Sequence, residues 1–152
     1  MSAHNPTIEK SITLNSLHRY KKACEKISCI ALYDAPMAAI AEKAGIDIIL
    51  VGDSLGMTVQ GHTSTLPVTI EHMTYHTAAV ARGNKKSFIM SDMPFMTYAT
   101  PTQAMENAAH LIQAGAHMVK LEGGNWLVDT IKMLNERGIP VCAHLGLTPQ
   151  SV

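Results

Sequence analysis

IDIILVGDSLG, residues 46–56, is a nearly unbroken apolar run that ends in Gly-Asp-Ser. The run from Ile46 to Val51 is rich in β-branched side chains, which is typical of a strand covered on both faces, as in a parallel sheet. Asp53 then lies at the carboxyl end of this strand, where the chain leaves the core. The segment therefore predicts a buried parallel strand that delivers a carboxylate to the edge of the sheet.

Two later segments repeat this pattern. Residues 87–90 lead into Asp92, and residues 117–121 lead into Glu122. Neighbouring parallel strands lie about 4.8 Å apart, so Asp53, Asp92 and Glu122 are expected to converge on one ion at a shared rim. Ligand sets made only of oxygen favour hard cations such as Mg²⁺. The recurrence predicts a magnesium site.

Two further polar side chains are expected at the same rim. Lys120 is two residues from Glu122 and so shares its strand face as a partner for an anion, and His144 ends a fifth strand as a hydrogen-bond donor or proton carrier. Each residue has a simpler interpretation. Asp53 or Asp92 alone could cap a helix or form a turn, Lys120 could balance Glu122, and His144 could be a satisfied core histidine. Recurrence at successive strand ends favours a site.

Strands and helices alternate along the rest of the chain. Strands are predicted over residues 29–33, 46–51, 87–90, 117–121 and 141–144, and helices over residues 15–25, 35–44, 69–82, 100–114 and 126–137. Such alternation indicates βαβ units and a parallel sheet. No Gly-x-Gly-x-x-Gly follows the first strand, and the polar strand ends favour a (β/α)₈ barrel over a doubly wound sheet. We expect a lead-in over residues 1–14 and about five units of one barrel domain over residues 15–152.

Composition narrows the function classes. The 152 residues are 47% hydrophobic with a formal net charge of zero, which gives no electrostatic argument for nucleic acid or membranes. No apolar run approaches the ~20 residues of a membrane span, and no signal peptide is expected. Cys24, Cys29 and Cys142 lack metal-ligand spacing, which favours reduced thiols in the cytoplasm. His72 and His76 lack a third ligand and are predicted to be surface or packing residues.

Six segments carry a resemblance to a known family. They read VGDSLGMTVQGH (51–62), STLPVT (64–69), YHTAAV (75–80), DMPFM (92–96), MVKLEGG (118–124) and HLGLTPQSV (144–152). Together they resemble the ketopantoate hydroxymethyltransferase family over most of the chain from about residue 15. The resemblance implies a (β/α)₈ TIM barrel of the phosphoenolpyruvate/pyruvate superfamily.

The resemblance also implies an activity. In the family a hydroxymethyl group passes from 5,10-methylenetetrahydrofolate, as co-substrate, to 3-methyl-2-oxobutanoate through a Mg²⁺-stabilised enolate, giving 2-dehydropantoate for pantothenate synthesis. Asp53 and Asp92 match the magnesium ligands, and Glu122 matches the acidic residue that completes the metal shell. Because the oxo acid chelates the ion, Asp53 and Asp92 also belong to the substrate site.

Three other positions match residues that touch the substrate. Ser54 matches a contact to the carboxylate of the oxo acid, and Lys120 and His144 match catalytic polar groups near the new hydroxyl. The family's general base is a glutamate on a later strand, expected beyond residue 152. The resemblance further implies a homo-oligomer, commonly a decamer, or a complementary chain that supplies the later strands. Two alternatives stay open: another Mg²⁺-dependent oxo-acid lyase of the superfamily, and an inert half-barrel that only associates.

Overall fold

Five parallel strands alternate with helices in the computed structural model, which describes residues 11–151. The strands are β1 (Cys29–Ala31), β2 (Ile48–Val51), β3 (Phe88–Asp92), β4 (Met118–Glu122) and β5 (Val141–His144). The helices are α1 (Leu14–Lys22), α2 (Ala35–Lys43), α3 (Leu55–Thr58), α4 (Ile70–Gly83), α5 (Pro101–Gln113) and α6 (Val128–Glu136).

The strands form one sheet in the order β1-β2-β3-β4-β5, and every neighbouring pair is parallel. Spatial order thus follows chain order without the reversal that a doubly wound sheet requires. The register places Asp92 beside Lys120 and Glu122 beside His144. This is the arrangement of the first five units of a (β/α)₈ barrel, and the predicted fold class is confirmed.

Short-range hydrogen bonds start the helices where the sequence indicates. The Asp34 carboxylate accepts from the Met37 backbone N–H at 2.7 Å at the start of α2. Thr100 accepts from the Gln103 backbone N–H at 3.3 Å ahead of Pro101, the first residue of α5. These side chains satisfy donors that the first helical turn leaves unpaired. The Gln103 side chain in turn accepts from the Ala99 backbone N–H at 3.0 Å, one residue before the cap.

The core lies between the central strands and the helices that cover them. Ile49, Val51, Ile89, Val119 and Leu121 from β2, β3 and β4 are fully buried or nearly so. Burial of this apolar surface is the main contribution that holds the strand ends in place, at roughly 25 cal/mol per Å². The carboxylates therefore sit on a rigid part of the fold.

Three local expectations are wrong. Helix α1 was expected to reach residue 25 but ends at Lys22, and Cys24 lies beyond it in the left-handed region (φ 56°) and is exposed. No helix was expected between the strand over residues 46–51 and the helix over residues 69–82, but the short helix α3 lies there. A single helix was expected from Trp126, whereas a 3₁₀ turn over Asn125–Leu127 precedes α6. In each case hydrogen bonds between nearby backbone groups determine the local structure, and no periodic apolar pattern in the sequence indicates it.

The chain before α1 is described from Ser11 onward. The Ser11 hydroxyl donates to the Lys85 carbonyl at 3.1 Å, and the Ile12 N–H donates to the Lys86 carbonyl at 2.8 Å. The predicted lead-in over residues 1–14 lies mostly outside the described residues, as does Val152. The proposed domain bounds stay a prediction.

Apolar side chains are exposed near both edges of the sheet. Ile27 and Ile30 at β1 and Leu145 and Leu147 after β5 are exposed. Within residues 11–151, each of these two strands pairs with a single neighbour. Both edges therefore keep backbone groups available for another strand. Among the helices of the same residues, none is long and apolar enough to cross a bilayer.

Helices α2 and α4 approach each other so closely that Gly83 is expected to resist substitution. A Cβ atom at Gly83 would overlap the backbone of Ala35, including its carbonyl oxygen. We expect Gly83→Ala to lower the free energy of unfolding by about 1–3 kcal/mol, because the two backbones must separate. Arg82→Ala, at the exposed neighbouring position, should change it by less than about 0.5 kcal/mol. Equal urea midpoints for the two variants would contradict this packing.

Candidate active site

Three carboxylates lie at the carboxyl ends of consecutive strands. Asp53 follows β2, Asp92 ends β3 and Glu122 ends β4. Their exposed fractions are only 4%, 3% and 4%, respectively. The Asp53 backbone N–H donates to Asp92 Oδ2 at 3.1 Å, which ties the first two strand ends together. The fold brings together the three acidic residues singled out in the sequence, and we call them the carboxylate cluster.

Lys120 supplies a positive charge to the carboxylate cluster. Its Nζ lies 2.7 Å from Asp92 Oδ1 and 3.6 Å from Glu122 Oε1, and its side chain is 13% exposed. The pairing with Glu122 follows from their shared strand face. The shorter contact, with Asp92, arises because β3 and β4 place these two residues side by side.

The carboxylates of the cluster outnumber this ammonium, and their protonation equilibria reflect it. Burial raises the pKa of Asp92 to about 6, although Lys120 opposes the shift. Burial also raises the pKa of Asp53, against the lowering effects of the Gln150 amide and Lys120. For Lys120, burial favours the neutral form, but Asp92 and Glu122 outweigh it and raise the pKa. The site keeps a protonated lysine among carboxylates that are short of positive charge.

Gln150, in the loop after β5, joins all three strand ends. Its Nε2 donates to Asp53 Oδ2 at 2.8 Å and to the Met93 carbonyl at 3.0 Å. Its backbone N–H donates to Glu122 Oε2 at 3.1 Å. One buried residue therefore orients two carboxylates from separate strand ends, Asp53 through its side chain and Glu122 through its backbone.

The Tyr98 hydroxyl holds the Gln150 side chain in place. It lies 2.5 Å from Gln150 Oε1 and 3.0 Å from the Glu122 carbonyl, and it accepts from the Glu122 N–H at 3.2 Å. Burial raises the pKa of Tyr98 to about 12, so the hydroxyl keeps its proton at neutral pH. Tyr98 thus orients the Gln150 amide with its Nε2 toward Asp53.

The remaining predicted residues lie around the cluster. His144 Nδ1 is 3.1 Å from Glu122 Oε1, and the imidazole is about one third exposed. The Ser54 hydroxyl is 2.9 Å from the Tyr33 hydroxyl, at the start of the segment that follows Asp53. The structure thus brings Lys120 and His144 to the carboxylate cluster, with Ser54 adjacent to Asp53 in the chain.

The two helical histidines have structural partners. His72 Nδ1 accepts from the Thr69 N–H at 3.2 Å in the cap of α4. His76 Nδ1 is 2.8 Å from the Tyr33 carbonyl. These contacts agree with the packing roles expected for both, and His76 helps to hold the tyrosine that contacts Ser54.

The donor set fits a divalent cation held by two carboxylates. As the side chains stand, no three His, Cys, Asp or Glu residues within 11–151 form a group that could hold a metal ion. Mg²⁺, however, commonly uses one or two protein carboxylates and completes its shell with water and substrate. Asp53 and Asp92 are adjacent and buried, and Gly52 adds no side chain there: a Cβ would lie 3.5 Å from Asp92 Oδ2. The pair is short of positive charge, which a cation would supply.

Sequence reasoning did not assign roles to Gln150, Tyr98 and Tyr33. Gln150 lies 97 residues from Asp53, so no local spacing connects them. The clue available was the position of Gln150 just after the fifth strand, on the rim where barrel loops gather. Tyr98 and Tyr33 have polar tips that need partners when buried, which was a weaker indication.

Solved structures share this fold. A phosphonopyruvate hydrolase superposes with a TM-score of 0.69 at 15% identity, over 87% of this chain and 52% of that chain. A 2,3-dimethylmalate lyase, described as a PEP mutase/isocitrate lyase superfamily member, gives a TM-score of 0.63 at 18% identity, over 85% and 51%. A phosphonopyruvate hydrolase complex with oxalate and Mg²⁺ gives 0.61 at 16% identity, over 79% and 42%.

Sequence relatives are much closer. The 3-methyl-2-oxobutanoate hydroxymethyltransferase of Saccharophagus degradans is 64% identical over 145 residues, which are 95% of this chain and 54% of that protein. The enzyme of the same name from Marinomonas sp. is 63% identical over 145 residues, with 95% and 53% covered. This chain spans about half the length of the curated relatives it matches. The family model described as ketopantoate hydroxymethyltransferase matches residues 11–152. The chain therefore belongs to the ketopantoate hydroxymethyltransferase family.

Proposed function

We propose that this chain carries the metal and oxo-acid site for hydroxymethyl transfer from 5,10-methylenetetrahydrofolate to 3-methyl-2-oxobutanoate, giving 2-dehydropantoate. The main support for the proposal is the buried carboxylate cluster, which contains Lys120 as its cation. The cluster lies at the carboxyl ends of the strands, where barrel active sites lie. The names of relatives 63–64% identical to this chain support the reaction.

In this proposal Asp53 and Asp92 are the direct Mg²⁺ ligands. Glu122 does not contact the ion and completes the metal shell through a water ligand. Glu122 suits the outer position because His144 and Gln150 already hold its two oxygens. The solved phosphonopyruvate hydrolase with oxalate and Mg²⁺ pairs this fold with an ion and a small dicarboxylate. When bound, the ion would polarise the ketone and stabilise negative charge on its oxygen.

Lys120 and Ser54 would receive the anionic substrate. A protonated lysine 2.7 Å from Asp92 brings positive charge to the place where a chelating oxo acid adds negative charge. The Ser54 hydroxyl, held by Tyr33 at 2.9 Å, can donate to the substrate carboxylate. Both groups are fixed by partners before substrate arrives, which reduces the cost of binding.

The reaction requires water, which supplies the oxygen of the new hydroxymethyl group, and loss of the proton on carbon 3 of the oxo acid. That carbon attacks the one-carbon unit, whose bonds to the folate nitrogens break so that tetrahydrofolate leaves. His144, paired with Glu122, is placed beside the cluster to donate a hydrogen bond near the new hydroxyl. The base that removes the proton is expected outside residues 11–151, on a later strand. Lys120 and His144 are the catalytic groups that this chain contributes.

A second candidate is an inert half-barrel that associates with itself or another chain. The exposed apolar residues at β1 and after β5 favour association with another copy of the chain or with a different chain. We propose that the edges are covered by strands that complete the barrel, within a homo-oligomer or a complementary chain. Cysteines 24, 29 and 142 are free thiols, which supports a proposed location in the cytoplasm.

The test is complementation in solution. The chain is mixed with the segment of the Saccharophagus degradans relative that lies outside the match, then assayed with 3-methyl-2-oxobutanoate, methylenetetrahydrofolate and Mg²⁺. We expect 2-dehydropantoate by NMR from the mixture and none from the added segment alone. If native mass spectrometry shows the complex and no product forms, the proposed activity is wrong and the inert half-barrel is favoured.

A further inference from the structure

A cavity of about 190 Å³ lies beside Glu122. Its lining is mainly apolar, whereas the carboxylate cluster is charged. Its apolar wall is formed chiefly by Phe95, Met96, Tyr98 and Trp126. Glu122 and Gln150 contribute polar groups. An apolar wall with a few polar groups is the usual composition of a small-molecule site.

The Trp126 indole is held in a defined position but stays open to solvent. A Cβ at Gly123 would lie 2.9 Å from Trp126 Cζ2, so the glycine allows the indole to lie against the backbone. The Tyr98 ring is nearly parallel to the indole, with an interplanar angle of 9° and centroids 6.1 Å apart. Trp126 is nevertheless 61% exposed. A large aromatic surface is therefore fixed in place and left uncovered within the described chain.

Phe95 and Met96 extend this uncovered surface. They are 43% and 58% exposed and line the same cavity as Trp126. Met96 has φ 60°, a left-handed conformation that costs a non-glycine residue about 1–3 kcal/mol. Residues held in such conformations cluster at ligand sites, and here the strain turns a loop that lines the cavity.

Glu122 links the cavity to the reaction site. Glu122 lines the cavity, and its buried carboxylate contacts Lys120, His144 and the Gln150 N–H. A ligand that stacks on Trp126 would thus lie beside the carboxylate cluster.

We propose that this cavity binds the reduced pterin ring of the one-carbon donor, stacked on Trp126. The cavity is smaller than the roughly 300 Å³ at the lower end of whole-ligand pockets, which suits one fused bicyclic ring. Binding there brings the donor beside the carboxylate cluster. This inference rests on the proposed function, which supplies the class of donor.

The experiment uses the sequence's single tryptophan, Trp126, as the reporter. The whole chain is titrated with 6-methyltetrahydropterin and, separately, with p-aminobenzoylglutamate, the part of the donor that lacks the pterin. We expect saturable quenching of Trp126 fluorescence by the pterin, after correction for its absorbance, and none by p-aminobenzoylglutamate. Absence of saturable binding by the pterin overturns the inference.

Variants locate the binding by calorimetry. Phe95→Ala and Trp126→Ala should each weaken pterin binding about tenfold or more, by analogy with bases stacked on aromatic side chains. Tyr75→Ala, which removes an equally exposed aromatic ring on α4, should leave it unchanged. Equal affinities in the three variants overturn the inference. Mg²⁺-dependent binding of 3-methyl-2-oxobutanoate, measured without pterin, tests the proposed function separately.

Discussion

Replacing Asp92 with asparagine is expected to abolish the Mg²⁺-dependent binding of 3-methyl-2-oxobutanoate. Asp92 is 3% exposed, accepts from the Asp53 N–H at 3.1 Å and pairs with Lys120 at 2.7 Å. Asparagine keeps an acceptor of the same shape but removes the charge that would hold the ion. If one of the two carboxylate ligands is removed, the remaining negative charge is too small to hold Mg²⁺.

The measurement is the shift in melting temperature with Mg²⁺ and the oxo acid together. Ligands that bind the folded state raise this temperature by mass action, so the unmodified chain should show a shift that saturates. Asp92→Asn should show none. Asp129→Asn, on an exposed carboxylate of α6, should behave as the unmodified chain does. An unchanged shift in Asp92→Asn would remove that residue from the metal site.

Replacing Lys120 with methionine should have three effects: lower stability, tighter binding of Mg²⁺ and loss of oxo-acid binding. Breaking a buried ion pair by removal of one partner typically costs about 3–5 kcal/mol, so the free energy of unfolding should fall by about this amount without metal. Mg²⁺ should bind about tenfold more tightly or better, because an ammonium about 4 Å away repels a cation by several kcal/mol at an effective dielectric of about 20. Binding of the oxo acid should be lost, since the partner for its charge is gone.

Calorimetric titrations with Mg²⁺ alone and with the oxo acid separate these effects. Lys132→Met, at a side chain 73% exposed on α6, is the matched control and should change neither affinity. A Lys120→Met variant that binds Mg²⁺ more weakly would mean that Lys120 organises the carboxylates instead of competing for them. Urea denaturation measures the accompanying loss of stability.

The fold was predictable because its information is local and repeated. The apolar run before Asp53 identifies a buried parallel strand, and strand and helix patterns alternate to His144. In a (β/α)₈ barrel the order of the strands follows the order of the chain, so carboxylates at successive strand ends are expected to meet at one rim. Asp53, Asp92 and Glu122 were recognisable as a set for that reason.

The interactions that organise the site were not predictable in the same way. The 2.7 Å contact between Lys120 and Asp92 depends on the register between β3 and β4, which spacing along the chain does not encode. Gln150 reaches Asp53 from a loop whose path no periodic pattern describes. Short elements such as α3 fail for a related reason, since four residues carry too little periodicity to identify a helix.

The most direct test of the carboxylate cluster is calorimetric titration of the chain with 3-methyl-2-oxobutanoate, with and without Mg²⁺. If Asp53, Asp92 and Lys120 form one site for the ion and the oxo acid, each ligand should strengthen binding of the other by the same factor, as linkage requires. We predict that binding of the oxo acid depends on Mg²⁺, and that the affinity for Mg²⁺ rises by the same factor when the oxo acid is present. Binding of the oxo acid with equal affinity in the presence and absence of Mg²⁺ would contradict it.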